Sequence, residues 1–382
     1  MPVRGLEHDT DFATLHADGV TWVGEAPVWL DVHTHIGHHD PDGLEADPEE
    51  LVDALDHAGH DQACVFAMHE PHGYRHANDV VLAACEASQG RLMALARVSP
   101  HAEDAPAELA RCLAAGARGV KLHPRSDDFQ LDHPEIDGLV EQVAQIRGVV
   151  LVHAGRGIPE LGRHAVALAE AHPGARIVLA HAGISDLGLL VEHTEALANL
   201  LFDTSWWQPS DLLQLLTTVP PGRILYASDM PYGPPRTAAT LLLRCAQQAG
   251  LRTEQVREMV GAQARRALLG EDLVDLGPAP GPEALGPRVL SFERAAAYLT
   301  AAVQGTFRGA DPAEAYALAR LACQRPGAEA PHAAALEVLE EYVAMAQDRL
   351  EAHRDPFDAV QAGMAALLVA GTPGVAARPP AV

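Results

Sequence analysis

The sequence predicts a (β/α)₈ TIM barrel, an α/β fold, followed by an α-helical C-terminal region. Short apolar runs of β type alternate with longer amphipathic helical patterns, and the strands start about 25–30 residues apart. Such alternation implies a parallel sheet with right-handed crossovers, and eight units in about 245 residues match a closed barrel. A doubly wound open sheet is the alternative. It is disfavoured because no G-x-G-x-x-G turn follows the first strand.

The elements can be placed in order along the chain. The predicted strands are 28–36, 62–68, 92–98, 118–123, 148–153, 176–181, 199–204 and 223–229. The predicted helices between them are 48–59, 76–88, 105–116, 133–146, 159–172, 185–197, 209–217 and 235–249. The first helix has the clearest start signal, with Asp47 as N-cap, Pro48 at the first helical position and Glu50 in the first turn.

Composition also predicts a domain organisation. A polar N-terminal segment (1–27) precedes the barrel domain (28–272), and a Pro/Gly-rich linker (273–287) follows it. An alanine-rich region over 288–370 has helical periodicity, and its predicted helices are 290–305, 311–324, 331–353 and 356–370. The last segment, 371–382, is expected to be a disordered tail. The helical region could form a lid, pack on a partner subunit as in a homodimer, or bind another protein. Oligomerisation is the favoured role.

Charge and cysteine usage exclude several classes of function. The chain has 382 residues with 27 Lys plus Arg and 52 Asp plus Glu, which gives a formal net charge of −25. Such an acidic surface repels phosphate backbones and anionic lipids, so neither nucleic acid nor membrane is expected as a partner. The start of the chain has no signal-peptide pattern, and the five scattered cysteines are typical of a reduced, cytoplasmic protein.

Polar residues recur where the predicted strands end. In chain order they are His33 and His35, Lys121 and His123, His153, His181 and Asp229. Each one alone has an ordinary structural explanation, for example an exposed strand-end histidine or a turn aspartate. In a barrel, however, the carboxyl ends of all strands meet at one rim, so these side chains converge. Four of these histidines (His33, His35, His153 and His181) and the Asp229 carboxylate at one rim favour a site for Zn²⁺ or a similar first-row divalent ion.

The alternation of a strand predicts which side chains face that rim. His33 and His35 are two residues apart and should point to one side of the first strand. By the same rule Val32, Thr34 and Ile36 should point away from them.

The phrases LDVHTHIG, ARGVKLHPR, VLVHAG, VLAHAG and LYASDMPYG resemble the blocks of the amidohydrolase superfamily, in particular the amidohydrolase-2 group. That group includes hydrolases, lactonases and non-oxidative decarboxylases similar to aminocarboxymuconate-semialdehyde decarboxylase. The resemblance covers residues 28–270 and does not extend to the helical region after 287.

The resemblance implies one metal ion held by His33, His35, His153 and Asp229, with His181 as a neighbouring catalytic group. Zn²⁺ is the expected ion, with Mn²⁺ or Fe²⁺ as alternatives. In some superfamily members a lysine on the fourth strand is carbamylated and bridges two metals. A binuclear site with carbamylated Lys121 is therefore a second alternative.

The chemistry of these residue types supports the same roles. A divalent ion lowers the pKa of a bound water to about 7, and Asp229 can take the proton as that water attacks. His181 can polarise a carbonyl or stabilise an oxyanion. The residues expected to contact substrate are Lys121, His123, His69, Arg97, Arg156, Trp206 and Tyr232.

These observations lead to a functional hypothesis with alternatives. The leading hypothesis is a metal-dependent hydrolase that cleaves a C–N or C–O bond (amide, lactone or ester) in a small molecule carrying a carboxylate. A metal-dependent decarboxylase or C–C hydrolase is the alternative within the fold, because the same residues would hold the metal. A non-catalytic barrel scaffold is the alternative outside the enzyme class.

Overall fold

The computed structural model describes residues 6–24, 28–41, 43–155, 157–324, 332–353 and 355–380. A 3₁₀ helix (Leu6–Phe12) and helix α1 (Ala13–Val23) come first and pack against the outer helices of the following domain. That domain contains parallel strands alternating with helices, so the predicted fold class is confirmed.

The strands close into a ring. In chain order they are β1 (Leu30–Ile36), β2 (Gln62–Ala67), β3 (Leu92–Ala94 and Ala96–Arg97), β4 (Gly119–Leu122), β5 (Val149–Val152), β6 (Arg176–Leu179), β7 (Leu200–Asp203) and β8 (Ile224–Leu225). Each strand pairs in parallel with the next. Backbone bonds from Val32 N to the Tyr226 carbonyl and from His35 N to the Met230 carbonyl join the segment that follows β8 to β1. The carboxyl ends of all strands therefore share one rim.

Helices cover the outside of the ring. They are α2 (Pro48–Ala58), α3 (Arg75–Ala87), α4 (Ala105–Ala114), α5 (Pro134–Gln145), α6 (Leu161–Ala171), α7 (Leu187–Val191), α8 (Pro209–Thr218), α9 (Pro235–Gln248), α10 (Thr253–Arg257) and α11 (Gln263–Leu269), with a π-helical turn at Glu258–Ala262. Helix α2 begins with the predicted Asp47 cap, which forms a capping box with Glu50. The prediction of a long helix over 185–197 is wrong, because α7 ends after five residues.

Strand β1 departs from strict alternation. Its register against β2 shifts between Asp31 and Thr34, which marks a β-bulge. Val32 packs with Leu30 and Phe66 in the cluster inside the barrel, although the sequence pattern predicts that it points away. Because the bulge adds one residue, the histidines that follow also face the interior, and the predicted common direction of His33 and His35 is confirmed.

The C-terminal region consists of α12 (Leu290–Phe307), α13 (Ala313–Cys323), α14 (Ala333–His353), a 3₁₀ turn (Pro356–Ala359) and α15 (Val360–Gly371). Helix α15 has no charged residue, and its side chains from Val360 to Ala370 are buried. It packs between the other C-terminal helices and the barrel helices α8 and α9. The helical region is therefore anchored to the barrel through a buried apolar helix.

The segment after α15 differs from the expected disordered tail. Thr372 is buried, and the Arg244 guanidinium on α9 donates to its hydroxyl and to the carbonyls of Val375 and Ala376. Arg378 forms an ion pair with Asp18 of α1. These partners fix a segment whose composition alone is typical of disorder. Within the described residues, no helix has both the length and the apolar character needed to span a bilayer.

Candidate metal centre and active site

Three of the predicted residues converge at the barrel rim. His33 and His35 come from the end of β1, and Asp229 follows β8. The Nε2 atoms of the two imidazoles are 3.2 Å apart, and Asp229 Oδ1 lies 3.0 Å from each of them. Two ligands at about 2.0–2.2 Å from one ion, at tetrahedral or right angles, are separated by about 2.8–3.6 Å. The spacing and chemistry of these donors therefore fit a divalent metal ion.

The backbone at this rim is unusual at two site residues. Asp229 has φ +67° and His181 has φ +57°, both in the left-handed region that side-chain-bearing residues rarely adopt. Such conformations persist only where surrounding contacts hold them. Here Asp229 N donates to the His33 carbonyl, and His181 N donates to Asp203 Oδ1. The strain lies at residues whose side chains enter the site.

His153 belongs to a neighbouring row of imidazoles rather than to the three-residue cluster. His181 Nδ1 lies 2.8 Å from the Ser205 carbonyl, so this nitrogen carries the proton and donates. His181 Nε2 then accepts from His153 Nδ1, 2.9 Å away. The ring of His153 stacks on that of His123, with centroids 3.9 Å apart.

This row leaves one nitrogen without a hydrogen bond. His153 Nε2 is an unprotonated, buried nitrogen, and it has no hydrogen-bond partner among the described residues. A buried acceptor of this kind is a potential metal ligand. In this arrangement it lies outside the group formed by His33, His35 and Asp229, so its predicted role as a fourth ligand stays a prediction.

Burial and charge shift the ionisation of these groups. Burial lowers the pKa of His35 to about 3, although Asp229 raises it. Burial would raise the pKa of Asp229, but the imidazoles, His33 first, outweigh it and hold this pKa well below its usual range. Burial and then Lys121 lower the pKa of His33, yet Asp229 and Asp203 overcome both and raise it. The site therefore presents an ionised carboxylate beside imidazoles at neutral pH.

Lys121 at the end of β4 reaches the same cluster. Its Nζ lies 3.2 Å from His33 Nε2, and its ammonium sits over the Phe66 ring. Burial lowers the pKa of this amine to about 7. It is the only lysine in the sequence, and the other residues of the Lys/Arg class are all arginines.

A cavity of about 480 Å³ opens above these residues. Its lining includes the predicted substrate contacts His69, Arg97, Lys121, His123 and Tyr232, together with Asp40, Pro41, Arg125 and Ser126. The predicted contact Trp206 does not line it; the indole lies 6.1 Å from the His181 ring and donates to Asp211. The predicted contact Arg156 lies outside the described residues.

Arg97 is held in place by a buried network. Its guanidinium donates to the Ala67 carbonyl at 3.1 Å and to Ser126 Oγ at 2.5 Å, and Asp127 Oδ2 lies 3.4 Å away. Tyr74 donates its hydroxyl to the other oxygen of Asp127 at 2.5 Å. The cation is therefore oriented at the cavity wall by fixed partners rather than by solvent.

Sequence reasoning missed several residues that support the site. Asp203, the last residue of β7, accepts from His33 Nδ1 at 2.7 Å, and Ser205 lies beside both. Asp31 Oδ1 accepts from the backbone N of His33 and of Ser228. A signal for Asp203 was present, because it lies one residue before the end of the predicted strand 199–204, close to where the other polar site residues lie on their strands. Nothing in the local pattern distinguishes Asp127, since its partners are distant in sequence.

A closed parallel barrel with a His/His/Asp cluster at the carboxyl rim of its strands is the arrangement typical of metal-dependent TIM-barrel enzymes. Residues 30–271 match the family model described as Amidohydrolase, that of the amidohydrolase-2 family. The chain belongs to this metal-dependent family and is an enzyme of the amidohydrolase superfamily. The predicted family is confirmed. A search of curated protein sequences finds no match.

Solved structures show the same fold. The 5-carboxyvanillate decarboxylase of Sphingomonas paucimobilis is 14% identical, with a TM-score of 0.51, over 64% of this chain and 99% of that chain. A dihydroxybenzoic acid decarboxylase from Polaromonas, with bound manganese and 2-nitroresorcinol, is 16% identical, with a TM-score of 0.51, over 64% and 97%. An uncharacterised TIM-barrel protein from Bordetella bronchiseptica is 15% identical, with a TM-score of 0.53, over 63% and 98%.

Proposed function

We propose that this protein is a metal-dependent hydrolase that cleaves a C–N or C–O bond of a small, carboxylate-bearing molecule. The placement of Asp229 carries the proposal. One carboxylate oxygen stands between the two ligand imidazoles, and the other, Oδ2, lies 4.0 Å from His181 Nδ1. The side chain keeps 19% of its surface exposed toward the cavity, so Oδ2 is placed to exchange a proton with a bound molecule.

His33, His35 and Asp229 would hold the ion, with His153 Nε2 as a further donor. A divalent ion held there would supply hydroxide at neutral pH, because such ions lower the pKa of a bound water to about 7. Asp229 Oδ2 receives the proton of the attacking water and returns it to the leaving group. For His181 to polarise a substrate carbonyl, as the sequence predicts, its Nε2 must release the hydrogen bond from His153 and take up a proton, because its Nδ1–H already donates to the Ser205 carbonyl. Zn²⁺ suits this nitrogen/oxygen donor set, and Mn²⁺, Fe²⁺ or a pair of ions bridged by carbamylated Lys121 are the alternatives.

The substrate class follows from the charges that line the cavity. Arg97, Lys121 and Arg125 bring cationic groups to it, whereas Asp40 and Asp229 are the carboxylates among its described lining residues. The fixed Arg97 guanidinium matches the planar geometry of a carboxylate. A cavity of about 480 Å³ accommodates a small organic acid rather than a polymer. We therefore expect an anionic small molecule.

Decarboxylation is the second candidate, because the same cations can hold a carboxylate that leaves as CO₂. Two of the structures with this fold are decarboxylases of aromatic acids, and one of them binds manganese. Both reactions use the same metal ligands. The two reactions differ in whether the oxygen atom of water enters the product.

That difference provides the experiment. Metal-loaded protein is incubated with a panel of carboxylate-bearing lactones and amides and with a panel of unsaturated and aromatic carboxylic acids. The same reactions are run in H₂¹⁸O and in D₂O. Hydrolysis places ¹⁸O in the product and releases no CO₂. Decarboxylation releases CO₂ and places deuterium on carbon, and this result would replace the hydrolase assignment.

A further inference from the structure

Asp203 is a buried carboxylate that substrate cannot reach. Its side chain has no exposed surface, although it lies next to the proposed metal ligands. Four donors from three separate segments converge on it. Oδ2 accepts from His33 Nδ1 at 2.7 Å. Oδ1 accepts from His181 N at 2.9 Å, Ser205 N at 3.0 Å and Ser205 Oγ at 2.6 Å.

We propose that Asp203 is the positioning residue of the metal centre, which fixes the tautomer of His33 and at the same time fixes the position of His181. The inference rests on the proposed metal site. A neutral imidazole carries one proton, and a carboxylate oxygen at Nδ1 requires the proton to be there. The lone pair of His33 is thereby placed on Nε2, the atom that faces His35 and Asp229.

The two carboxylate oxygens of Asp203 have different partners and different effects. The oxygen that faces His33 sets which nitrogen can bind metal. The oxygen that faces His181 N and Ser205 N holds the left-handed backbone from which the His181 ring enters the site. One carboxylate therefore couples the strand that supplies two ligands to the loop that supplies the neighbouring imidazole. An amide in its place cannot accept on both sides, because one of its two terminal atoms is a donor.

The test compares two buried carboxylates. In D203N either the amide NH₂ faces His33 Nδ1, which forces the wrong tautomer, or it faces the backbone N–H groups of His181 and Ser205. In D31N the amide oxygen can still accept from both backbone N–H groups that Asp31 Oδ1 binds, and no contact with an imidazole is changed. The dissociation constant for Zn²⁺ is measured by competition with a chromophoric chelator for the wild type and both variants.

We expect Zn²⁺ affinity to fall tenfold to about a hundredfold in D203N and by less than about threefold in D31N. Ring ¹⁵N shifts of the metal-free proteins at alkaline pH should show the Nδ1–H tautomer of His33 in the wild type and in D31N. D203N should lose either this tautomer or the hydrogen bonds of the His181 and Ser205 backbone N–H groups, which their amide proton shifts report. Equal effects of the two variants, or an unchanged affinity and tautomer in D203N, would overturn the inference. Neither readout needs a substrate, so a failure of this inference can be distinguished from a failure of the proposed reaction.

Discussion

The Nε2 atoms of His33 and His35 lie 3.2 Å apart, with one oxygen of Asp229 at 3.0 Å from each. Two imidazole nitrogens this close, beside a carboxylate oxygen, form a donor set that a shared divalent cation stabilises. The bulge in β1 brings both rings to the same side.

Loss of either ligand imidazole should abolish metal binding. The wild type is expected to carry about one equivalent of a divalent transition metal, and H33A and H35A close to none, because two of the three clustered donors then remain. Elemental analysis of purified protein measures this, with H72A, an exposed histidine of a rim loop, as the control. A folded wild type without metal would favour the scaffold hypothesis.

Arg125 is the cation for which a substrate effect can be separated from a folding effect. It is exposed and lines the cavity, whereas Arg97 is buried in a network. We expect R125Q to raise KM roughly tenfold to a hundredfold, since a hydrogen bond between charged groups contributes about 1.5–3 kcal/mol. R163Q is the control, because Arg163 pairs on the surface with Glu160. Identical KM values for both variants would place the substrate carboxylate elsewhere.

Lys121 should titrate near neutrality in the metal-free protein. Burial lowers the pKa of its amine to about 7, so it is an ammonium below that pH and a free amine above it. Because the sequence has no other lysine, reductive methylation with ¹³C-formaldehyde labels one side-chain amine, and the ¹³C shift can be followed against pH. A midpoint near the ordinary lysine value of about 10.4 would contradict the burial argument.

His60 should make stability fall in acid. It is stacked on Trp29 and packed against Tyr226, with neither ring nitrogen hydrogen-bonded among the described residues. Burial lowers its pKa to about 3 from an ordinary value of 6.5. In acid the unfolded chain therefore binds a proton at His60 that the folded chain does not bind. The stability that this residue contributes above pH 6.5 is lost as the pH falls.

The loss from His60 amounts to roughly 3 kcal/mol by pH 4. H60F keeps the stacked ring and removes the proton, so its free energy of unfolding should depend less on pH between 4 and 6.5. H76Q, at an exposed histidine on α3, should keep the wild-type slope. Urea titrations at several pH values measure both; parallel slopes for H60F and the wild type would reject the assignment.

Gly155 keeps the space beside His153 open. A Cβ at this position would lie 2.7 Å from His153 Nε2, closer than non-bonded atoms approach. G155A should therefore displace the imidazole and weaken metal binding if His153 is the fourth ligand. In G138A the new methyl group meets nothing within 4 Å on α5, so that variant should bind metal normally and gain up to about 1 kcal/mol of stability. Wild-type affinity in G155A would exclude His153 from the ligand set.

Much of the fold and part of the site were accessible from the sequence. Strand and helix periods are local properties, and the rim position of His33, His35 and Asp229 follows once a barrel is assumed. The bulge in β1 was not accessible, because an extra residue in a strand is visible only against its partner. The contact of Asp203 with His33 joins residues about 170 positions apart. A single sequence gives no information about which distant residues form such pairs.

Composition misled the prediction at the end of the chain. Apart from Arg378, the residues after α15 are small, apolar or proline, and no pattern among them signals order. Arg244 supplies the order from more than 120 positions upstream, where its guanidinium satisfies their carbonyls. Buried charge on one element can thus fix another that has no propensity of its own.

Helix α9 is buried without interruption from Thr240 to Ala246, including three consecutive leucines, because the barrel covers one side and α1 and α15 cover others. Without the covering helices α1 and α15, part of the apolar surface of α9 would be exposed to water, which favours aggregation. A run of consecutive buried residues on an outer barrel helix therefore marks a helix that further elements cover. Among proteins with this barrel, such a run should distinguish chains that carry an additional helical region from chains that do not.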